Sequence, residues 1–331
     1  MLHLVVPGLL LPPDTVDYAS AERPLPALAS LLGRGRITWR AALPMEHWLA
    51  EALGLDGVAP AYSALRLLGD GGEPGLATWV CADPVPFQIT HDKLIVGSPH
   101  ELALETHEAA QFIATLNEHF ADIGEFIAPH PARWYLRLNE GSAALPAVRL
   151  HPLSSVMSRS MEPFLPAPAW RRLMNEIQMA LHHHPQNEAR EAARKPRVGG
   201  VWLWGAGKLP PTFNTPVPAL WADHALAQGL ARHAGIPCQT LPERAVPTAG
   251  MVVQDSLAEP AQALDMSAWR DAIALLEEHW FAPLLAALKS RRLPALRITA
   301  LGDAGIADIH INAADTWKFW RSAKPLSALQ P

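Results

Sequence analysis

Two cysteines in 331 residues, Cys81 and Cys238, are too few for a disulfide framework. They lie far apart and show no metal-ligand spacing. The pair points to a reducing compartment, and the cytoplasm is the expected location. Charge is also scarce: charged residues make up 18%, and the net charge is -5 with both signs mixed. No basic stripe is present, so no nucleic-acid partner is expected. Long apolar runs are missing too. The first twelve residues are apolar, but no basic segment precedes them, and Pro7-Gly8 and Pro12-Pro13 break the run. Neither a signal peptide nor a membrane partner is expected.

Hydrophobic residues are plentiful at 49%, which marks a globular chain. Its length suits one large α/β unit or two modest domains. The 32 prolines are about twice the usual ~5% and are scattered, so they punctuate short elements. The 12 tryptophans need partners for their N–H groups wherever they are buried.

Leu2-His3-Leu4-Val5-Val6 is apolar on both faces apart from His3, as a buried parallel strand is. A helix is expected from Leu25 to Leu32, stopped by Gly33, and another from Glu46 to Leu53, stopped by Gly54. The glycine-rich stretch from Gly69 to Gly75 is a loop and the expected domain boundary. Beyond it, short strands are expected from Ala77 to Cys81, Pro86 to Thr90 and Lys93 to Val96. A helix capped by Thr106 is expected to run to Phe120, with Ala109, Phe112, Ile113, Leu116 and Phe120 on one face. Arg133 to Leu138 reads as a strand, completing an α+β block.

Further on, a helix is expected from Trp170 to His183 and a strand from Val198 to Trp204. With that strand, a helix from Asp223 to Ala234, closed by Gly235, and a returning strand from Ile236 to Leu241 make a βαβ-like run. Trp269, Ile273, Leu276, Trp280, Leu284 and Leu288 mark a long amphipathic helix, bent or split at Pro283. Gly302-Asp303-Ala304-Gly305 joins two strands as a hairpin. The Trp317-Phe319-Trp320 group at the end is expected to seal the core; if exposed, it would be an interaction patch.

The most specific stretch runs from His184 to Pro210. It reads His184-Pro185-Gln186-Asn187-Glu188-Ala189-Arg190, then Trp202-Leu203-Trp204-Gly205-Ala206-Gly207-Lys208. A lone Gly-x-Gly is a weak phosphate signal and fits a strand-end turn equally well. Arg190 and Lys208 could hold an anion, as a fork and a point charge. Arg190 fits a structural hydrogen bond to a loop carbonyl just as well. Consecutive His182, His183 and His184 point about 100° apart on a helix and cannot share one ion. Asp223-His224 sits at a helix start, where Asp is an ordinary cap.

This stretch resembles the archaeal-type, cofactor-independent phosphoglycerate mutases of the alkaline phosphatase superfamily. The whole chain resembles the regulatory protein RpfE family, a bacterial offshoot of them. Val6-Pro7-Gly8-Leu9-Leu10, Ala82-Asp83-Pro84-Val85, Leu116-Asn117-Glu118-His119-Phe120, Arg133-Trp134-Tyr135-Leu136, Asn175 to Met179 and Trp317 to Arg321 also carry it. The resemblance implies an alkaline-phosphatase-like α/β fold, with a mostly parallel sheet flanked by helices and an inserted α+β subdomain. Residues 1–75 and 140–331 would form the core and residues 76–139 the insert. It places a ligand site at His184, Asn187, Arg190, Trp204, Gly205, Gly207 and Lys208.

The mutases require two divalent metals and a serine that accepts the phosphoryl group. The resemblance places an Asp after the first strand, where this chain has Pro7-Gly8-Leu9. Asp255 and Asp265 have no histidine near them, and neither does Asp303. Ser63, in Pro60-Ala61-Tyr62-Ser63-Ala64, is the only candidate nucleophile, and Ala64 stands where a mutase places an Asp. A hard two-metal site cannot be built from such a set. The expected function is therefore non-catalytic, regulatory or ligand-binding, with no metal and no cofactor. Its expected partners are a phosphorylated or carboxylated small molecule and an unidentified protein. An active mutase or phosphatase with a remodelled site is the alternative.

Overall fold

The computed structural model describes residues 1–12, 15, 24–55, 61–90, 93–141 and 150–329. Pro13 and Pro60, which figure in the readings above, lie outside the described residues. The strands are β1 (Leu2–Pro7), β2 (Arg36–Arg40), β3 (Trp79–Val85), β4 (Phe87–Thr90), β5 (Lys93–Val96), β6 (Gly124–His130), β7 (Arg133–Leu138), β8 (Gly200–Gly207), β9 (Leu220–Ala222), β10 (Cys238–Gln239), β11 (Gly250–Val253), β12 (Ala295–Gly302) and β13 (Gly305–Asn312).

The chain divides into two compact units. The first comprises residues 1–53, 215–227 and 234–331, and the second residues 54–214 and 228–233. This division differs from the expected cuts at 75/76 and 139/140. Strand pairing is the reason. β3 pairs antiparallel with both β7 and β8, so residues 200–207 join the sheet that holds 79–85. Local patterning carries no information about a pairing across more than a hundred residues.

The first unit is α/β with a mostly parallel sheet, in the order β10-β9-β11-β1-β12-β13-β2. β1 is buried along its whole length and pairs in parallel with β11 on one side and β12 on the other. Its nearly continuous apolar sequence is what a strand covered on both faces requires. β12 and β13 form the expected hairpin across Gly302 and Gly305. The expected βαβ-like run does not form: β8 belongs to the sheet that holds β3, and β10, only two residues long, pairs in parallel with β9 instead.

β2 is an antiparallel edge strand on β13 that sequence patterning missed. Its sequence, Arg-Ile-Thr-Trp-Arg, alternates outward charge with Ile37 and Trp39, which pack against the core. Charged outward residues are how an edge strand avoids pairing with another chain.

Helices Pro26–Arg34, Met266–Leu276 and Ala282–Lys289 supply the other part of this core through Leu28, Leu31, Trp269, Ile273, Leu284 and Leu288. Gly33 does not stop its helix. A Cβ there would lie 2.1 Å from the Ser322 carbonyl oxygen, so glycine permits a close backbone approach. Between the last two helices, Glu277–Phe281 form a π turn that absorbs Pro283. Pro283 cannot donate to the His279 carbonyl, which accepts from the Ala245 amide at 2.9 Å instead.

The second unit is α+β. Its sheet runs β6-β7-β3-β8, beside the β4-β5 hairpin, with helices Tyr62–Gly69, Thr106–His119, Pro168–His182 and Pro185–Ala192. Glu105, not Thr106, caps the second of these in a reciprocal box with Glu108. Among the described residues, no helix is long and apolar enough to cross a membrane.

Candidate functional site

Open α/β sheets place ligands beyond the carboxyl ends of their parallel strands. In the first unit these ends lead into Gly8 after β1, Asp223 after β9, Gln254 after β11 and Gly302 at the end of β12. Beyond β1 and β12 that space is filled by the chain itself. Gly8 has φ +80, and a Cβ on it would meet the Leu257 carbonyl oxygen at 2.3 Å. Its own carbonyl accepts the Trp269 indole N–H at 2.9 Å. A Cβ on Gly302 would meet the Leu10 carbonyl oxygen at 2.3 Å. Leu9, Leu10, Leu11 and Leu257 are buried at this edge. Asp223 accepts the Leu241 amide N–H at 3.2 Å. Among the described residues, no group of three or more His, Cys, Asp or Glu could hold a metal ion. The two metals of a phosphatase-type centre do not fit this donor set.

Ser63 is fully buried in the second unit, near the start of helix Tyr62–Gly69. Its hydroxyl donates to the Trp79 carbonyl at 2.8 Å. One turn on, Arg66 makes a bidentate pair with Asp83 (2.7 and 2.6 Å) and donates to Tyr135 Oη at 2.9 Å. Asp83 also accepts the Trp204 indole N–H at 2.7 Å. The guanidinium lies over the Tyr135 and Trp204 rings. Burial opposes its charge, but the Asp83 carboxylate outweighs burial and holds the pKa above the ordinary value.

Tyr135 Oη donates in turn to Asp70 at 2.5 Å, and Asp70 also receives Arg133 at 2.7 Å. Burial raises the Tyr135 pKa well above the usual phenol range. Burial pushes the Asp70 carboxyl upward, but hydrogen bonds from Arg133 and Tyr135 prevail and lower it. Sequence reasoning missed this connected network, because its members are spread from residue 66 to residue 204. Every link is internal, so the network is a scaffold, and Trp204 belongs to it.

The stretch from His184 to Pro210 has a similar character. His184 caps helix Pro185–Ala192: Nδ1 accepts the Gln186 amide at 3.0 Å, and Nε2 lies 3.0 Å from Thr115 Oγ1. Burial lowers its pKa. Asn187 donates to the Leu181 and Val198 carbonyls and accepts the Val198 amide, all within 2.9 Å. Arg190, 1% exposed, forms a 2.8 Å pair with Glu108 and donates to the Pro196 and Leu102 carbonyls. Its expected structural hydrogen bond to a loop carbonyl is present twice over. The donors expected to hold a ligand are thus engaged within the chain.

The Gly-x-Gly segment is shaped by packing as well. Gly205 has φ +63, and a Cβ on it would approach Tyr62 Cβ to 2.9 Å. A Cβ on Gly207 would lie 2.7 Å from Ala61 Cβ. The bare backbone makes room for the start of helix Tyr62–Gly69, which occupies the place a phosphate would take. Lys208 is exposed beyond the end of β8, whereas Asn187 grips Val198 just before its start. An eight-residue strand separates the two by about 25 Å. One small anion cannot touch both Arg190 and Lys208, which corrects the single site expected from the sequence.

Among the described residues of the first unit, two cavities stand out. One, of about 470 Å³, is lined by His3, Arg40, Trp48 and Arg297 among others, towards the amino ends of β1 and β11. His3 Nε2 is 2.7 Å from Thr299 Oγ1, and Thr299 donates to Asp308 at 2.5 Å. With the threonine proton directed to Asp308, the His3 Nε2–H is the donor in the first contact. Burial, aided by Arg297, pushes the imidazole down to about 3, so it stays neutral.

The larger cavity, of about 870 Å³, gathers Arg34, Arg36, Lys318, Arg321 and Lys324 around one carboxylate, Asp315. Asp315 is already engaged, accepting Lys318 Nζ at 2.5 Å and the Asn312 amide at 2.9 Å. Among the described residues, no carboxylate lies within ion-pair distance of Arg34, Arg36, Arg321 or Lys324. In a chain of net charge -5, five cations against one engaged anion make this the strongest basic recess described. Backbone geometry holds it in shape: Arg34 donates to the Thr316 carbonyl at 2.6 Å, and Arg321 to the Arg34 carbonyl at 3.2 Å. The expected burial of Trp317, Phe319 and Trp320 is overturned. They are 64%, 84% and 69% exposed, because the short 3₁₀ turn Ala313–Trp317 leaves its last residue and the residues after it outside the core.

No family model matches the chain, and no curated protein matches it. Solved structures that are similar over nearly its whole length include these two. One is a cofactor-independent phosphoglycerate mutase from Thermoplasma acidophilum DSM 1728, at 14% identity and a TM-score of 0.48, covering 99% of this chain and 94% of that one. The other is the PH0037 protein from Pyrococcus horikoshii, at 13% identity and a TM-score of 0.48, covering 98% and 91%.

Proposed function

We propose that this protein is a non-catalytic, phosphoglycerate mutase-like binding protein. Its ligand is a phosphorylated or carboxylated small molecule, held in the basic cleft at Arg34, Arg36, Lys318, Arg321 and Lys324. Its role is regulatory, as the resemblance to the RpfE family implies. The observation that carries the reading is the convergence of these cations on one cavity whose single carboxylate is engaged. Arginine forks and lysine point charges are the usual partners of phosphate and carboxylate oxygens. The filled carboxyl edge of the parallel sheet and the buried, hydrogen-bonded Ser63 support the non-catalytic half of the proposal.

Isothermal titration of the full chain with inorganic phosphate and 3-phosphoglycerate tests it. Binding is expected, and at least tenfold weaker in Arg36→Glu/Lys324→Glu, whose side chains are exposed. Absence of heat with both probes, or binding unchanged in the variant, overturns the assignment. Manganese-dependent phosphate release that is lost in Ser63→Ala would restore the catalytic alternative.

A further inference from the structure

Beside the cations of the cleft stands a ridge of three aromatic side chains. Trp317, Phe319 and Trp320 fall within four residues and keep 64%, 84% and 69% of their surface free. Lys318 and Arg321 interleave with them, so rings and cations share one short segment. The Phe319 and Trp320 rings pack edge to face at 5.3 Å, so they form a joint apolar knob. The segment is held, not loose. Asn312 and Asp315 close a capping box on the turn before it. Lys318 N bonds to the Asp315 carbonyl, and Arg321 N to the Lys318 carbonyl.

Single exposed hydrophobic residues are ordinary, but three adjacent large aromatics are not. A free anion in the cleft would use the cations and could touch Trp320, yet it would leave Trp317 and Phe319 in water. A bilayer interface accommodates both chemistries in one plane. Tryptophan and phenylalanine rings settle at the headgroup level, and lysine and arginine meet anionic headgroups.

We propose that the first unit docks on an anionic phospholipid surface, with Trp317, Phe319 and Trp320 entering the interface while Arg34, Arg36, Arg321 and Lys324 bind headgroup phosphates. The inference rests on the anion-binding reading of the cleft and names the source of the anion. It revises the expectation that no membrane takes part. A spanning segment plays no role, since the contact is peripheral.

The test is co-sedimentation of the full chain with vesicles of phosphatidylcholine alone and of phosphatidylcholine with phosphatidylglycerol. Binding is expected only to the anionic vesicles. It should fall at least tenfold in Trp317→Ser/Phe319→Ser/Trp320→Ser and in Arg36→Glu/Lys324→Glu. The double variant Trp317→Ser/Phe319→Ser, whose exposed rings do not line the cleft, should lose vesicle binding likewise while keeping its thermal unfolding temperature and its binding of inorganic phosphate. A chain that binds phosphate but ignores anionic vesicles overturns the membrane inference and leaves the cleft reading intact. A chain that binds neither overturns both. Vesicle binding that survives the triple aromatic substitution, or binding of polyglutamate without vesicle association, also overturns it. The latter would assign the ridge to an acidic protein.

Discussion

Replacing Arg190 by alanine separates a scaffold from a ligand site. Arg190 is 1% exposed and Glu108 3% exposed, and they pair at 2.8 Å through both carboxylate oxygens. Removing the guanidinium strands that carboxylate and leaves the Pro196 and Leu102 carbonyls without this donor. Breaking a buried pair from one side costs roughly 3–5 kcal/mol. Two donors stay on Glu108, Gln186 Nε2 and the Glu105 amide, each at 2.9 Å. The carboxylate can also escape by taking a proton. At pH 7 that costs about 4 kcal/mol for a group of ordinary pKa near 4.3, which caps the charge part of the loss.

The pH dependence carries a sign. In the wild-type chain burial pushes the Glu108 pKa upward, but the Glu105 amide and Arg190 win and lower it. A carboxylate lowered on folding stabilises the protein above its unfolded pKa, and this is lost as pH falls through the folded value. Without Arg190, burial is opposed by fewer hydrogen bonds, so the Glu108 pKa moves upward. The gap between variant and wild type should therefore narrow as the pH falls from 7 to 4.5. Urea unfolding followed by circular dichroism at the two pH values measures it. Arg190→Met/Glu108→Leu should recover most of the loss, since no buried charge is left unpaired. Anion binding should be unchanged in both variants. A stability loss under about 1 kcal/mol, together with lost binding of phosphate or 3-phosphoglycerate, would refute the scaffold reading.

Gly205→Ala places a Cβ at φ +63 and 2.9 Å from Tyr62, so it should destabilise by at least ~1 kcal/mol in the same urea assay. Ser63→Ala removes a buried donor to the Trp79 carbonyl, and ~1–3 kcal/mol of stability should be lost while phosphate binding is retained. His3, with a folded pKa of about 3, is neutral where the unfolded imidazole takes a proton. Stability from it is complete above pH 6.5 and declines as pH falls, with a slope of at most about 1.4 kcal/mol per pH unit. His130, His184 and His310 are also lowered by burial, so His3→Gln should flatten the profile between pH 6.5 and 4.5 without abolishing its slope.

Elements with strong local periodicity were legible in the sequence. β1, the β12-β13 hairpin and helix Thr106–His119 lie where apolar spacing placed them. β2, β6, β9 and β11 were missed. β2 and β6 are edge strands whose stability comes from a neighbour, and Gly124–His130 ends in Ala-Pro-His, which reads as a turn, while β9 and β11 are only three and four residues long. The unit boundary was hidden for a related reason, since it is long-range contacts such as the β3-β8 pairing and the Arg190–Glu108 pair that join the later segment to residues 79–138. The site was less legible still. Arg190 looked available because its partner, Glu108, stands 82 residues earlier in the chain. Tryptophan content suggested burial at the end of the chain, but the aromatic residues there follow a turn that carries them off the sheet.

Glycines and cations cluster in sequence for more than one physical reason. Near Gly205 and Gly207 the missing side chains admit Ala61 and Tyr62, and Lys208 extends outward past the strand, so the resemblance to a phosphate cradle ends with the spelling. A cradle needs backbone N–H groups with open space in front of them. The basic cleft has no such spelling. Its arginines and lysines come from the end of helix Pro26–Arg34, from edge strand β2 and from the segment after β13. Pairing β2 with β13 sets Arg36 opposite His310. The turn that follows β13 then brings Lys318, Arg321 and Lys324 to the same recess. The cation cluster is therefore made by antiparallel strands added to one edge of a parallel sheet, and a search for motifs along the chain passes over it.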